Sequence, residues 1–312
     1  MPPTLDIVIV NHNAGDALFA CAASIAQAKD EAFGLRSVVV VDNASTDGSA
    51  DGLGGLPLPL TVLKNDRNEG FGAACNRGAA GGRGDYVLFL NPDTRLFEGS
   101  LRAPLQVFSG PDGEKTGICA VRLVDDAGNT RRTCARFPTP LHFVLRAFFI
   151  GRLFPGPRTN HVMLEWDHNE TRFVDHAMGA FWLMPRGVFE ELGGFDTRFF
   201  LYLEDVDLSL RARRRGYETL YLADAAAFHE GGGTTKKAKA LRIYYSLQSR
   251  ILYGFKHFTR PAAIIAAFFA LAVEPFTRLL FAVLRLRLGE AGQTLRAYRK
   301  LYAWCLRPGR RT

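Results

Sequence analysis

The first ninety residues are punctuated by four short apolar runs, each followed within two residues by an asparagine or an aspartate. This spacing constrains the fold more than any other feature of the chain. Residues 5–10, 37–41, 60–63 and 86–90 are rich in aliphatic, β-branched and aromatic side chains and are bounded by turn formers. Stretches near 14–28, 49–53 and 71–80 carry helical pattern between them. The alternation predicts a βαβαβαβ order, hence a mostly parallel sheet flanked by helices on both sides. Val38-Val39-Val40-Val41 fits a strand buried on both faces. Ligands of such sheets bind at the carboxyl ends of the strands. Those ends carry Asn11, Asp42-Asn43, Asn65-Asp66 and Asn91-Pro92-Asp93, so polar groups from four strands are expected to converge on one crevice.

Charge divides the chain in two. The 312 residues carry a net +8, but the surplus is not evenly spread. From Lys236 onward there are sixteen Lys and Arg against Glu274 and Glu290, a net +14, which leaves the rest at −6. The expected division is an α/β domain over 1–240 and a basic, amphipathic helical extension over 241–312. Within the extension, residues 262–273 are apolar, Glu274-Pro275 interrupt, and 279–284 resume. A spanning helix needs about 20 uninterrupted apolar residues. The interrupted pattern with flanking Arg, Lys, Phe, Tyr and Trp suits a segment lying in a membrane interface. The alternatives are a helix pair packed on the body or on a dimer partner, and a single interrupted span; nucleic acid is not an expected partner.

An apolar fraction of 47% with 22% charged residues excludes a disordered chain or a collagen-like repeat. Five scattered cysteines without a Cys-x-x-Cys pair argue against a disulfide framework or a structural zinc site. They suit small core residues in a reducing compartment. The chain opens directly on a strand-like run, so no secretory leader is expected.

Several stretches can carry chemistry. Asp42, at the tip of a buried strand in VDNASTDG, can accept hydrogen bonds from a base or ribose, or the local acids and hydroxyls can cap the next helix. Asn68-Glu69-Gly70-Phe71-Gly72 misses the dinucleotide fingerprint, because Cys75 occupies its last position. Its glycines still allow a phosphate close to a helix start. Asn91-Pro92-Asp93 is a turn, or a carboxylate that shares a divalent cation with a diphosphate. Glu204, Asp205 and Asp207 follow an aromatic and aliphatic run; they either favour a helix start or supply a general base. His229 precedes a glycine run suited to a mobile loop over phosphates.

Taken in order, these motifs resemble family 2 inverting glycosyltransferases of the GT-A fold, most of all the bacterial rhamnosyltransferase-like branch. The matches are VDNAS from Val41, NEGFG from Asn68 with Asn76, Asn91-Pro92-Asp93, Gly194-Phe195-Asp196 with Phe199-Phe200, EDVDL from Glu204, and His229-Glu230-Gly231-Gly232. They cover residues 5–235 and leave the extension outside. The resemblance implies a nucleotide-sugar pocket made by Asn11, Asp42, Gly70, Asn76, Asn91 and Asp93. It implies Asp205 as catalytic base, Asp93 and His229 as ligands of Mg2+ or Mn2+, and Glu204 and Gly179 on the acceptor side. His176 stands where relatives often carry an aromatic residue. The implied reaction moves a sugar, dTDP-L-rhamnose being the favoured donor and a UDP-sugar the alternative, to a glycan or lipid-linked acceptor. The setting would be cell-envelope polysaccharide synthesis on the cytoplasmic face of the membrane. A nucleotidylyltransferase is disfavoured, because Asn11-His12-Asn13-Ala14-Gly15 is not a glycine-rich basic loop. A non-catalytic scaffold would have no need of Asp93, Asp205 and His229 together.

Overall fold

The computed structural model describes residues 2–231 and 239–306. Contacts divide the chain into two units. The first comprises residues 1–137, 162–200 and 204–234; the second comprises 138–161, 201–203 and 235–312. Residues 138–161, counted from sequence with the first domain, pack with the C-terminal helices instead.

The strands of the first unit are β1 (Thr4–Asn11), β2 (Gly34–Asp42), β3 (Leu60–Lys64), β4 (Tyr86–Leu90), β5 (Thr94–Leu96) and β6 (Thr116–Val124). They continue as β7 (Cys134–Ala135), β8 (Arg172–Val174), β9 (His176–Ala177), β10 (Phe181–Pro185) and β11 (Glu218–His229). The main sheet runs β3-β2-β1-β4-β10-β6-β11-β5, with β8 also paired to β11. From β3 to β4 every pairing is parallel, as the alternating pattern requires. β10 then enters antiparallel between β4 and β6. The chain builds outward from β1 through β2 to β3 and returns to β4 on the other side of β1. That reversal opens the crevice at the strands' carboxyl ends.

The alternation of β1 sorts its side chains between two layers. Leu5, Ile7 and Ile9 join Leu18, Ile25 and Leu88 on one face. Val8 and Val10 join Phe89, Trp182, Phe195 and Leu208 on the other. Burial on both faces is why these strands read as continuous apolar runs. Four cysteines are buried, Cys305 is partly exposed, and all five are free. Residues 49–53 are not the expected helix. Gly48 and Gly52 take left-handed φ of 72° and 84°, and only a short 3-10 turn forms at Leu53–Gly55.

At the amino end of the sheet, Asp6 forms a buried ion pair with Arg186 at 2.7 Å. Ser37 Oγ and the Gly84 amide donate to the same carboxylate, while Arg186 Nε and Nη1 donate to the carbonyls of Gly84 and Ala79. Each group in this network has a partner, the condition under which buried charge is tolerated.

The second unit is helical: Pro140–Ala147, Ile150–Leu153, Lys239–His257, Arg260–Phe268, Glu274–Leu284 and Leu288–Cys305. Glu274-Pro275 interrupts the apolar run but not the helix. Arg260–Leu284 is one 25-residue helical element, with a π-turn at Phe269–Val273. By length and composition it could cross a membrane, and 17% of its apolar window is buried. Proline removes a donor from the helix ladder. The carbonyl four residues before Pro275 is that of Leu271, and Tyr302 Oη donates to it at 2.7 Å. Tyr298 Oη donates to the Ala270 carbonyl at 3.0 Å. These two hydroxyls and the π-turn let the helix continue through the proline.

Candidate active site

Asn11 and Asp42 are register partners at the ends of β1 and β2. Asn11 Nδ2 lies 3.0 Å from Asp42 Oδ1, 3.0 Å from Ser45 Oγ and 2.9 Å from Ser49 Oγ. Its amide therefore orients Asp42 and the following turn. Asp42, Ser45, Thr46, Ser49 and Lys64 line a recess of about 210 Å³. A larger recess of about 540 Å³, beside Arg95 and Phe228, holds none of the site residues expected from sequence.

Asn43 binds this corner to the next one. Its Nδ2 donates to Asn68 Oδ1 and to the Gly70 carbonyl, and its Oδ1 accepts from Asn65 Nδ2 and the Glu69 amide. Gly70 takes φ 91°, and a Cβ there would fall 2.5 Å from the Phe200 carbonyl oxygen. Only glycine fits both restrictions. Asn76 Nδ2 donates to the Phe195 carbonyl and its Oδ1 accepts from the Phe195 amide, both at 2.8 Å. Both ends of that amide are thus engaged in holding the Gly194-Phe195 turn rather than turned toward a nucleotide.

Asp93, in the turn between β4 and β5, meets His229 at the end of β11, the strand that pairs with β5. His229 Nε2 lies 3.2 Å from Asp93 Oδ1 and 3.5 Å from Asn91 Nδ2. Burial pushes the Asp93 carboxyl up, but the hydrogen bond and charge of His229 outweigh it and leave the group below its ordinary value. His229 Nδ1 is buried without a partner. A carboxylate and an imidazole side by side suit a divalent cation that takes its remaining ligands from phosphate and water. Among the described residues no cluster of three or more His, Cys, Asp or Glu offers a fuller cage. Arg131 Nη2 donates to the Glu230 carbonyl at 2.9 Å, putting a cation beside this corner that sequence patterning did not single out. Gly232 and the following glycine-threonine run lie outside the described residues.

The third corner is the Glu204–Arg214 helix, which the chain enters through Tyr202 and Leu203, both at left-handed φ. Non-glycine residues in that region cost about 1–3 kcal/mol each and persist where the surroundings demand them. The Asp205 side chain is 20% exposed. Its Oδ1 accepts from the Val206 amide at 2.8 Å and its Oδ2 from the Gly179 amide at 3.2 Å. A side chain at Gly179 would press on Asp205, since its Cβ would lie 3.2 Å from that of Asp205. Ala180, next to Gly179, accepts from the Asn91 amide at 2.9 Å. The entry to β10 therefore ties Asp205 to the Asn91–Asp93 turn, and the two acids belong to one end of the sheet.

His176 completes this corner. Its Nε2 lies 3.5 Å from Asp205 Oδ2, and its Nδ1 lies 3.1 Å from Ser209 Oγ. Burial lowers its pKa below the ordinary value, against the pull of Asp205 and Asp175. The ring is therefore neutral at pH 7. A carboxylate only accepts, so the arrangement calls for the proton on Nε2, with Ser209 donating to Nδ1. Glu204 points elsewhere. It is 5% exposed, and its Oε2 has no partner. Burial, reinforced by Asp205 and Asp207, holds its carboxyl well above the usual range. It is an interior acid whose burial favours the protonated form, not a group offered to an acceptor. Asp207 is fully buried and ion-paired with Arg211 at 2.8 Å.

A family model described as Glycosyl transferase family 2 matches residues 6–193. N-acetylglucosaminyl-diphospho-decaprenol L-rhamnosyltransferase of Mycobacterium tuberculosis (strain CDC 1551 / Oshkosh) is 29% identical over 255 residues, 78% of this chain and 81% of that protein. Rhamnosyltransferase WbbL of Escherichia coli (strain K12) is 28% identical over 169 residues, 54% of this chain and 61% of WbbL. The solved mannosyltransferase PcManGT from Pyrobaculum calidifontis, in complex with GDP-Man and Mn2+, matches with a TM-score of 0.56 at 15% identity. The match covers 98% of this chain and 89% of that one. At that identity the likeness is one of fold, and the fold is GT-A.

Proposed function

The chain belongs to glycosyl transferase family 2, and from that membership we propose that it is an inverting transferase with Asp205 as its base. It takes a sugar from a nucleotide-diphosphate donor, dTDP-L-rhamnose before a UDP-sugar. The acceptor is a hydroxyl of a glycan or a lipid-linked saccharide in cell-envelope polysaccharide synthesis. The observation that carries the reading is the setting of Asp205: partly exposed, braced by two backbone amides and His176, and tied through Gly179-Ala180 to Asn91. The names of the two rhamnosyltransferase relatives support the sugar, and the diphospho-decaprenol in one of them supports a lipid-linked acceptor.

The chemistry follows from these residues. Asp205 removes the proton from the acceptor hydroxyl as that oxygen attacks the anomeric carbon from the face opposite the diphosphate. A single displacement inverts the anomeric configuration. The amides of Gly179 and Val206 hold the carboxylate in place, so little reorganisation is needed as the proton moves. Asp42, oriented by Asn11, accepts hydrogen bonds from the nucleoside. Asp93 and His229 would hold Mg2+ or Mn2+ together with the donor diphosphate; bound there, the cation supplies charge neutralisation for the departing nucleotide. The basic second unit, with its exposed Phe268, Phe276, Leu280 and Leu284, holds the enzyme at the inner face of the membrane.

The test is thermal stabilisation of the full chain by nucleotide-sugars with and without Mn2+. A ligand at 100 times its Kd adds about 2.7 kcal/mol to the native state. The expected result is a rise in Tm with dTDP-L-rhamnose that EDTA or Asp93→Ala removes. No shift with any nucleotide or nucleotide-sugar would refute the donor assignment.

A further inference from the structure

Four charged side chains from three helices gather inside the second unit: Arg146, Arg250, Glu274 and Arg278. Glu274 is fully buried and Arg250 is 4% exposed. Glu274 Oε2 accepts from Arg250 Nη2 at 2.7 Å. Its Oε1 accepts from Arg278 Nε at 2.9 Å and Nη2 at 2.6 Å. Both carboxylate oxygens are thereby engaged. Arg250 Nε and Nη1 remain buried with no partner. Arg146 lies within electrostatic reach of the other three; burial of its guanidinium surroundings pushes its pKa down to about 10, while the residue keeps a solvent-exposed face. The cluster holds three positive charges against one negative.

The simplest alternative is an ion pair that staples helices together. Such a pair balances its charges and satisfies its donors, as Asp6 and Arg186 do in the first unit. Here two buried guanidinium nitrogens are left over, and leaving buried charge uncompensated costs several kcal/mol. An anion that accepts several hydrogen bonds at once would remove the deficit. Phosphate oxygens match guanidinium geometry in this way. The helical element carrying Glu274 and Arg278 also exposes Ile264, Ile265, Phe268, Phe276, Leu280 and Val283. An apolar surface on the same element suits a ligand with a hydrocarbon chain.

We propose that Arg146, Arg250 and Arg278 form a binding site for the phosphate or diphosphate group of a lipid. The site lies within the helical unit and is independent of the transferase reading, since it is probed without donor or acceptor sugar. The probe is dihexanoyl phosphatidic acid below its micelle concentration, with EDTA present and ionic strength fixed, read by the Tm of the full chain. Inorganic phosphate and pyrophosphate are run in parallel. Because Arg146 keeps a solvent-exposed face, Arg146→Gln tests binding without removing a fully enclosed side chain. Arg299→Gln, which removes an exposed charge elsewhere in the unit, is the control for general electrostatics. The expected result is a Tm rise with the lipid phosphate whose midpoint shifts at least tenfold in Arg146→Gln and stays unchanged in Arg299→Gln. Arg250→Lys, which keeps the charge and loses the fork, should weaken it as well. Equal stabilisation by inorganic phosphate or pyrophosphate, with the same Arg146 dependence, would overturn the lipid as source and leave a free phosphate site. No stabilisation, or equal loss in both glutamine variants, would overturn the site and return the cluster to a structural ion network.

Discussion

The two ends of the parallel half-sheet are wired in opposite ways. At the amino end, Asp6 and Arg186 are buried, and their polar atoms are matched by Ser37, Gly84 and Ala79. At the carboxyl end and beside it, His229 Nδ1, Asn65 Oδ1 and Glu204 Oε2 are buried without partners. Asp205 is left partly exposed. A satisfied network contributes to one rigid arrangement; an unsatisfied one keeps capacity for a ligand or a proton. The difference teaches that charge burial alone does not distinguish structure from function in this fold. Completeness of hydrogen bonding does.

The sharpest way to break this comparison is to disable one group at each end. Asp205→Asn keeps the shape and removes the base. Its kcat/KM is expected to fall by about 10³ or more, near 4 kcal/mol of transition-state stabilisation, with Tm almost unmoved and donor binding intact. Asp6→Asn should do the reverse. Breaking a buried pair from one side costs about 3–5 kcal/mol, so chemical denaturation should show a large loss of stability while the Kd for donor is retained. Should Asp205→Asn lower Tm as much as Asp6→Asn does, the division between the two ends fails.

Smaller effects sharpen it. His176→Phe keeps an aromatic ring and deletes the contact to Asp205. A hydrogen bond to a charged group contributes about 1.5 kcal/mol, so turnover should drop about tenfold. A mere packing role would lower Tm and leave kcat in place, whereas loss of a partner of the base should lower kcat with the KM for donor unchanged. Glu204→Gln addresses a quieter point. Because the native state holds the Glu204 proton well above the ordinary value of 4.5, the associated stability is full below that pH. It is lost as pH rises toward the folded-state pKa. The glutamine variant should escape that loss, so its stability relative to wild type should grow as pH rises above 4.5. Parallel Tm-against-pH curves for the two proteins would contradict it.

Much of the fold was legible because parallel strands buried on both faces must be apolar throughout. Val38 to Val41 and Tyr86 to Leu90 announce themselves in this way, and their polar successors mark the crevice. The antiparallel strand β10 did not stand out. Its partners Leu90 and Cys119 lie 91 and 64 positions from theirs in β10, Phe181 and Leu183, and a five-residue apolar run carries no sign of its direction. The acids and His229 were legible as residue types in order, since their chemistry is local. His176 and Ser209 were not. His176 reaches Asp205, and Ser209 reaches His176, only because β9 pairs with β7 and lies beside the Glu204–Arg214 helix, which no periodicity encodes. How the helix passes Pro275 was not legible for a similar reason: the hydroxyls beside its missing donor, those of Tyr298 and Tyr302, come from another helix.

That last feature has a consequence for how the chain is made. Tyr298 supplies the buried Ala270 carbonyl with a donor from 28 residues further along. Translation proceeds at about 5–20 residues per second, so the apolar segment waits a few seconds with that carbonyl bare. Each unsatisfied group of this kind costs about 1–3 kcal/mol once buried. The segment from Arg260 to Leu284 should therefore dock late, after residue 298 has left the ribosome. In the interval its exposed apolar surface is open to a chaperone or to the membrane insertion machinery, and the time allotted to that choice is written into the distance between an alanine and a tyrosine.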